Sequence, residues 1–235
     1  MKGALILMTR IPIPGKTKTR LMSVLSGDEC ARIHRAFLMD LFLLFNSLKD
    51  KVDIYLTYTP EDSFGIIADI IPSYIGTFAQ RGDSLGDKMK NAISHVLDKG
   101  YESVCLMGSD IPQVTEKSII ECFNRLDTKD CVIAPTFDGG YYLVGLKKMN
   151  DKIFDNKVKW GNKTVLEGTM DILNSLELNV SLGDKYRDID TLDDLIDFKI
   201  RLEKGEFPNS HLKYTKEYVN NIWSWYDELD TSIRG

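Results

Sequence analysis

The chain has 235 residues, of which 43% are hydrophobic and 28% charged, and its net charge is −5. That composition suits a soluble globular protein with one large α/β domain or two small ones. The acidic balance argues against non-specific nucleic-acid binding. No apolar run reaches the ~18 residues of a membrane span and no signal peptide precedes the first strand, so a cytoplasmic protein is expected. Cys30, Cys105, Cys122 and Cys131 each sit in an apolar element without C-x-x-C spacing, as reduced core residues do. His34, His95 and His211 are scattered, which disfavours a histidine metal site or a catalytic triad.

In chain order, Ala4–Met8 is a continuous apolar run of the kind found in central parallel strands. Thr9–Leu21 contains two prolines and a glycine and reads as a loop. Ser26-Gly-Asp-Glu29 resembles a capping box before a helix that buries Ile33, Phe37, Leu41, Leu44, Phe45 and Leu48. Val52–Tyr58 is a second strand, Asp62–Ile71 a short helix, and Tyr74–Ala79 a third, weaker strand. After the polar turn Gln80–Asp87 a helix carries Met89, Ala92, Ile93, Val96 and Leu97 and ends near Gly100. Ser103–Met107 is a fourth strand, and a helix follows it with Thr115 as N-cap. Cys131–Ala134 and Tyr142–Leu146 read as two strands joined by the Asp138-Gly-Gly turn. A helix at Thr164–Leu176, a strand at Leu178–Leu182 and a helix at Leu192–Leu202 complete residues 1–202. Residues 203–235 read as a linker and an amphipathic helix with Tyr218, Ile222, Trp225, Tyr226 and Leu229 on one face. That face suits packing on the same domain, and could instead form a homo-oligomer contact or cover one side of a ligand site. The alternation of strands and helices predicts a single three-layer α/β/α domain on a mostly parallel sheet.

The chemistry concentrates at the ends of strands. Gly15-Lys16-Thr17 matches the end of a P-loop, but the pattern needs glycine where Arg10 stands, and Pro12 and Pro14 interrupt it. No G-x-G-x-x-G follows the first strand. What remains is a basic loop: Lys2, Arg10, Lys16, Lys18 and Arg20 fall within the first 27 residues, with no acid among them. Lys16, Lys18 and Arg20 at the carboxyl end of a central strand can bracket phosphates. Val104–Pro112 is a strand broken at Gly108 that presents Ser109 and Asp110. Asp190 likewise follows an apolar residue and precedes a helix. Two carboxylates beside phosphates suit Mg²⁺ or Mn²⁺, hard cations that share oxygen ligands with a substrate. Asp190 could equally serve as a helix cap. Asp138-Gly139-Gly140-Tyr141-Tyr142 suits a hairpin turn or a close backbone approach to a ligand. Asp138 could act as a general base. Trp160 could stack on a sugar or pack within its loop.

These motifs together resemble the DUF2064 group of the GT-A, or nucleotide-diphospho-sugar transferase, superfamily, whose members are often labelled glycosyltransferases. The segments that carry the resemblance are Pro14–Leu21, Gly82–Met89, Gly108–Pro112, Asp138–Tyr142, Trp160-Gly161 and Asp188–Leu195. The molybdopterin and phospholactate nucleotidyltransferases are more distantly similar. The resemblance implies a GT-A fold with a nucleotide bound across the first half of the sheet. Thr9 and Arg10 would lie near base and ribose, and Gln80 and Gly82 at the base edge. Lys18 and Arg20 would hold phosphates, and Asp110 with Asp190 the metal. The transferred group or acceptor would lie toward Asp138–Tyr142 and Trp160. GT-A glycosyltransferases commonly carry Asp-x-Asp, whereas this chain has Gly108-Ser109-Asp110, with one carboxylate. The leading expectation is glycosyl transfer from a nucleotide-activated sugar to a small acceptor. The runner-up is nucleotidyl transfer from an NTP to a phosphorylated small molecule, with pyrophosphate released. A non-catalytic nucleotide-binding protein is the third.

Overall fold

The computed structural model describes residues 2–154, 164–207 and 211–222. Its centre is one sheet of seven strands in the order β3-β2-β1-β4-β6-β5-β7. The strands are β1 (Gly3–Arg10), β2 (Asp53–Thr59), β3 (Gly76–Ala79), β4 (Ser103–Gly108), β5 (Cys131–Pro135), β6 (Tyr141–Leu146) and β7 (Val180–Leu182). Only β6 runs against its neighbours, pairing antiparallel with both β4 and β5. The helices are α1 (Gly27–Leu48), α2 (Leu85–Leu97), α3 (Glu116–Leu126), α4 (Val165–Ser175), α5 (Leu192–Glu203) and α6 (214–222).

The apolar runs are strands because they are buried on both faces. Leu5 and Leu7 of β1 pack with α1 and α3, while Ala4 and Ile6 pack with α2 and α4 on the opposite side. Side chains alternate across a strand, so one continuous run feeds two cores. A third cluster joins Leu21, Cys30, Ile33 and Phe37 to Ile189, α5 and α6.

Local chemistry sets the helix starts. Ser26 with Glu29, Ser84 with Asp87, and Thr191 with Asp194 form reciprocal capping boxes at α1, α2 and α5. Thr115 caps α3 by accepting the Ser118 N–H. All four cysteines are free and buried.

Two expectations differ from the structure. β1 extends through Thr9 and Arg10, because both pair with β2, and residues Thr19–Ser23 form a 3₁₀ turn that overlaps the end of the expected loop. Asp62–Ile71 forms two short 3₁₀ turns, Glu61–Ile66 and Ala68–Ile70, rather than an α-helix. Gly65 in the middle weakens helix propagation there. Among the described residues no helix is long and apolar enough to cross a membrane.

Candidate active site

The chain leaves β1 to build β2 and β3 on one side, then crosses to β4 on the other. This reversal opens a crevice at the carboxyl ends of β1 and β4, the usual ligand position in open α/β sheets. Met8 is level with Gly108, so Thr9 and Arg10 lie beside Ser109 and Asp110. The cleft there has a volume of ≈ 620 Å³, within the range of small-molecule sites.

Its floor is organised by His34 of α1, which is buried. Nδ1 of His34 lies 2.5 Å from the Thr17 hydroxyl, and Nε2 lies 3.1 Å from both Thr9 Oγ1 and Ser109 Oγ. Thr9 donates its hydroxyl proton to the Arg10 carbonyl and lies 2.9 Å from Ser109 Oγ. Thr9 must then accept from Ser109, so Nε2 carries the imidazole proton and Nδ1 accepts from Thr17. One ring thus ties together the end of β1, the basic loop and the end of β4. Burial lowers its pKa to about 4, and the Lys18 and Arg10 charges add to this against the pull of Asp110. The ring is neutral at pH 7.

Above this floor the basic loop turns through Gly15 (φ 73°) and Lys18 (φ 48°). A left-handed lysine is unusual and is held by its surroundings. Its side chain is 3% exposed, and its Nζ lies 2.5 Å from Asp110 Oδ1 and 3.6 Å from Asp190 Oδ1. The same ammonium donates to the Ile189 carbonyl at 2.7 Å. Arg20 donates to Asp190 Oδ2 at 2.8 Å. Burial would raise the Asp110 carboxyl, but the adjacent Lys18 ammonium carries it below the usual carboxylate range. Gly27, at the start of α1, lies against the loop. A Cβ there would sit 2.8 Å from the Gly15 backbone nitrogen.

Of the residues expected from sequence, Thr9, Arg10, Lys16, Lys18, Arg20, Gln80, Ser109, Asp110, Tyr141 and Asp190 line this cleft. Gln80 spends its amide hydrogens on the Thr9 and Thr57 carbonyls, at 2.9 and 3.2 Å. Gly82, Asp138, Gly139 and Gly140 are not among the lining residues. Gly82 (φ 120°) turns the chain onto α2, where a Cβ would meet Asp87 at 2.6 Å. Asp138 Oδ1 accepts from Thr136 and from the Gly140 N–H, which makes it the organiser of its hairpin turn. Trp160 lies outside the described residues. Lys18 and Arg20, expected on phosphates, are held here by Asp110 and Asp190.

The structure also brings to the site residues to which the sequence assigns no role there. His34, Thr17 and Lys88 line the cleft, and Tyr142 of the expected Asp138–Tyr142 segment joins them. His34 left one trace, a polar ring at helical spacing from Cys30 and Phe37 on a helix face that is otherwise apolar. Asp188 stands behind the site with its carboxyl raised to about 6, first by burial and then by the neighbouring charges of Asp138, Asp194 and Asp190.

Asp110 Oδ1, Asp190 Oδ1 and the Ile189 carbonyl converge on one point, the Lys18 ammonium. Oxygen donors with two carboxylates fit a hard divalent cation that takes its remaining ligands from phosphates and water. Among the described residues no group of three or more His, Cys, Asp or Glu side chains could hold a metal alone.

The sheet order and the switch-point cleft are those of the nucleotide-diphospho-sugar transferase fold. A protein from Desulfovibrio desulfuricans G20, provisionally described as a nucleotide-diphospho-sugar transferase, matches with a TM-score of 0.82 and 30% identity, over 94% of this chain and 98% of that one. The chain belongs to the family described as an uncharacterised protein conserved in bacteria (DUF2064), whose profile matches residues 46–162. The 2-phospho-L-lactate guanylyltransferase of Methanocaldococcus jannaschii is 26% identical over 206 residues, which is 87% of this chain and 83% of that protein. The fold is also that of the 4-diphosphocytidyl-2C-methyl-D-erythritol synthase of Anaerococcus prevotii DSM 20548. There the TM-score is 0.57 and the identity 15%, over 86% of this chain and 96% of that one.

Proposed function

We propose that the cleft binds a nucleoside triphosphate and transfers its nucleotidyl group to a phosphorylated small molecule. The observation that carries this reading is the charge around the crevice. Arg10, Lys16, Lys18, Arg20 and Lys88 line it, against Asp83, Asp110 and Asp190. Among the described residues no ion pair engages Arg10, Lys16 or Lys88. Three uncompensated cations suit a triphosphate together with an anionic acceptor better than a nucleoside diphosphate alone.

In this reaction an oxygen of the acceptor phosphate forms a bond to the α-phosphorus. The bond from that phosphorus to the α,β-bridging oxygen breaks, and pyrophosphate leaves with the electron pair. A phosphate nucleophile needs no general base, and Asp138 is engaged in its turn. Lys16 and Arg20 would orient the triphosphate and stabilise charge on the leaving group. The His34 network would hold Thr17 and Ser109 in place beneath it. Asp110 and Asp190 would hold magnesium or manganese, which supplies Lewis-acid neutralisation of phosphate charge when bound. Similarity to the guanylyltransferase supports this reading.

Glycosyl transfer from a nucleotide-sugar is the second reading, favoured by the similarity to the Desulfovibrio protein. The test incubates the protein with each NTP or NDP-sugar, Mg²⁺ or Mn²⁺, and a panel of phosphorylated and neutral acceptors. Acceptor-dependent pyrophosphate release that Asp110→Asn abolishes is the expected result. Release of NDP from a nucleotide-sugar would replace it with the second reading. Turnover unaffected by Asp110→Asn would overturn the site itself.

A further inference from the structure

We infer that Lys18 is the resident cation of the Asp110–Asp190 site, and that a divalent ion enters only when a nucleotide's phosphates draw Lys18 and Arg20 away. This inference rests on the reading of the cleft as a phosphate and metal site. The Lys18 ammonium takes one oxygen from each carboxylate and a third from the Ile189 carbonyl, in a pocket that leaves its side chain 3% exposed. Arg20 takes the other oxygen of Asp190. A divalent ion must approach its oxygens to about 2.0–2.1 Å for magnesium. It cannot do so while an ammonium occupies the point where those oxygens converge. The two cations therefore compete for one position.

The exchange has somewhere to go. Arg20 is 64% exposed and faces the cleft that would hold phosphates, and the neighbouring Lys16 and Arg10 are unpaired among the described residues. Lys18 sits in a left-handed backbone conformation that a lysine does not favour, so its loop is held by these contacts rather than by its own preference. Phosphate oxygens would offer Lys18 and Arg20 the charge partners they now find in Asp110 and Asp190. The freed carboxylates would then be open to the metal. Binding of nucleotide and of metal is thereby linked, and linkage requires the same factor in both directions.

The test is a Mn²⁺ titration of the full chain without nucleotide, followed by electron paramagnetic resonance of the free ion. Wild-type protein should bind Mn²⁺ weakly. Lys18→Met should bind one ion about tenfold more tightly or better, within the usual range of site coupling. Lys18→Met combined with Asp110→Asn should return to the wild-type level. Lys16→Met removes the same unit of charge without freeing a carboxylate and should change the affinity less than threefold. Arg20→Met, at an exposed position that does not threaten folding, should strengthen binding by a smaller factor than Lys18→Met. The inference is overturned if wild-type protein binds Mn²⁺ as tightly as Lys18→Met, or if Lys16→Met has the same effect as Lys18→Met. These readings need no turnover. Failure to release pyrophosphate would count against the proposed reaction and leave the cation exchange standing.

Discussion

The buried carboxylate of Asp40, midway along α1, accepts the backbone N–H of Thr215 at 2.7 Å. It also accepts the N–H groups of Lys213 and Tyr214, at 3.0 and 2.8 Å. One side chain from an apolar helix face thus satisfies the first turn of α6, which packs Val219 and Ile222 against Cys30, Ile33 and Phe37. Burial raises the Asp40 carboxyl, and the three N–H donors oppose that rise. Asp40→Ala leaves those donors without their acceptor. We expect a loss of about 2–3 kcal/mol, or roughly 5–10 °C in Tm for a chain of this length. Calorimetry measures the loss, and hydrogen exchange should localise the loosening to residues 213–215. An unchanged Tm would mean that α6 does not depend on this cap.

His34 gives a pH dependence with a definite sign. Its folded pKa of about 4 lies below the ordinary value of 6.5, so the unfolded chain binds the proton more readily. Its contribution is fully present above pH 6.5 and is lost as pH falls toward 4. The ring signals should show no titration between pH 8 and about 5 by NMR. His34→Gln should remove this part of the acid sensitivity, so the stability gap between wild type and variant narrows on acidification. A ring that titrates near 6.5 would contradict the buried network.

Gly27→Ala separates loop position from stability. Alanine favours the helix over glycine, though at this first position of α1 by less than the ~1 kcal/mol of a helix interior. Its Cβ, however, would press on the Gly15 nitrogen from 2.8 Å and push the basic loop outward. The two effects offset one another in Tm, which should move by less than about 3 °C. Nucleotide affinity has no such compensation and should fall about tenfold, a cost of about 1.4 kcal/mol. Thermal shift with and without nucleotide measures both quantities on one sample. Equal loss of both would show that the loop is not what was moved.

Arg20→Ala is expected to leave stability within about 0.5 kcal/mol, since the pair with Asp190 has its arginine largely exposed. Nucleotide affinity should weaken by about tenfold at low salt, and the difference should shrink as ionic strength rises. Isothermal titration at two salt concentrations is sufficient. A loss that does not depend on salt would point to a structural role instead.

The central strands were legible because parallel strands covered on both faces leave unbroken apolar runs, as at Ala4–Met8 and Ser103–Met107. Helix starts were legible wherever a capping residue stood before the periodic stretch, as at Ser26 and Thr115. Pairings across the chain were not. Nothing in the local sequence states that Arg20 meets Asp190 or that Lys18 meets Asp110, because those contacts depend on which strands lie side by side. His34 and Asp40 were hidden for a related reason. Each occupies an apolar helix face, where periodicity marks burial but cannot name the polar partner that makes burial tolerable. The apolar spacing across Glu61–Ile66 and Ala68–Ile70 fits a helix, and Gly65 is the residue that argues against one.

The reversed direction of β6 has an architectural consequence. A parallel strand beside β4 would have brought its finishing end to the rim of the crevice. Because β6 runs the other way, its opening residues Tyr141 and Tyr142 stand there instead, directly after the hairpin. The rim therefore draws on separate stretches, those that follow β1 and β4 and the one that opens β6. The hairpin can change its length or its side chains without altering the segment that carries Lys16–Arg20. A scaffold built this way can keep one half of its crevice constant while the other is refitted.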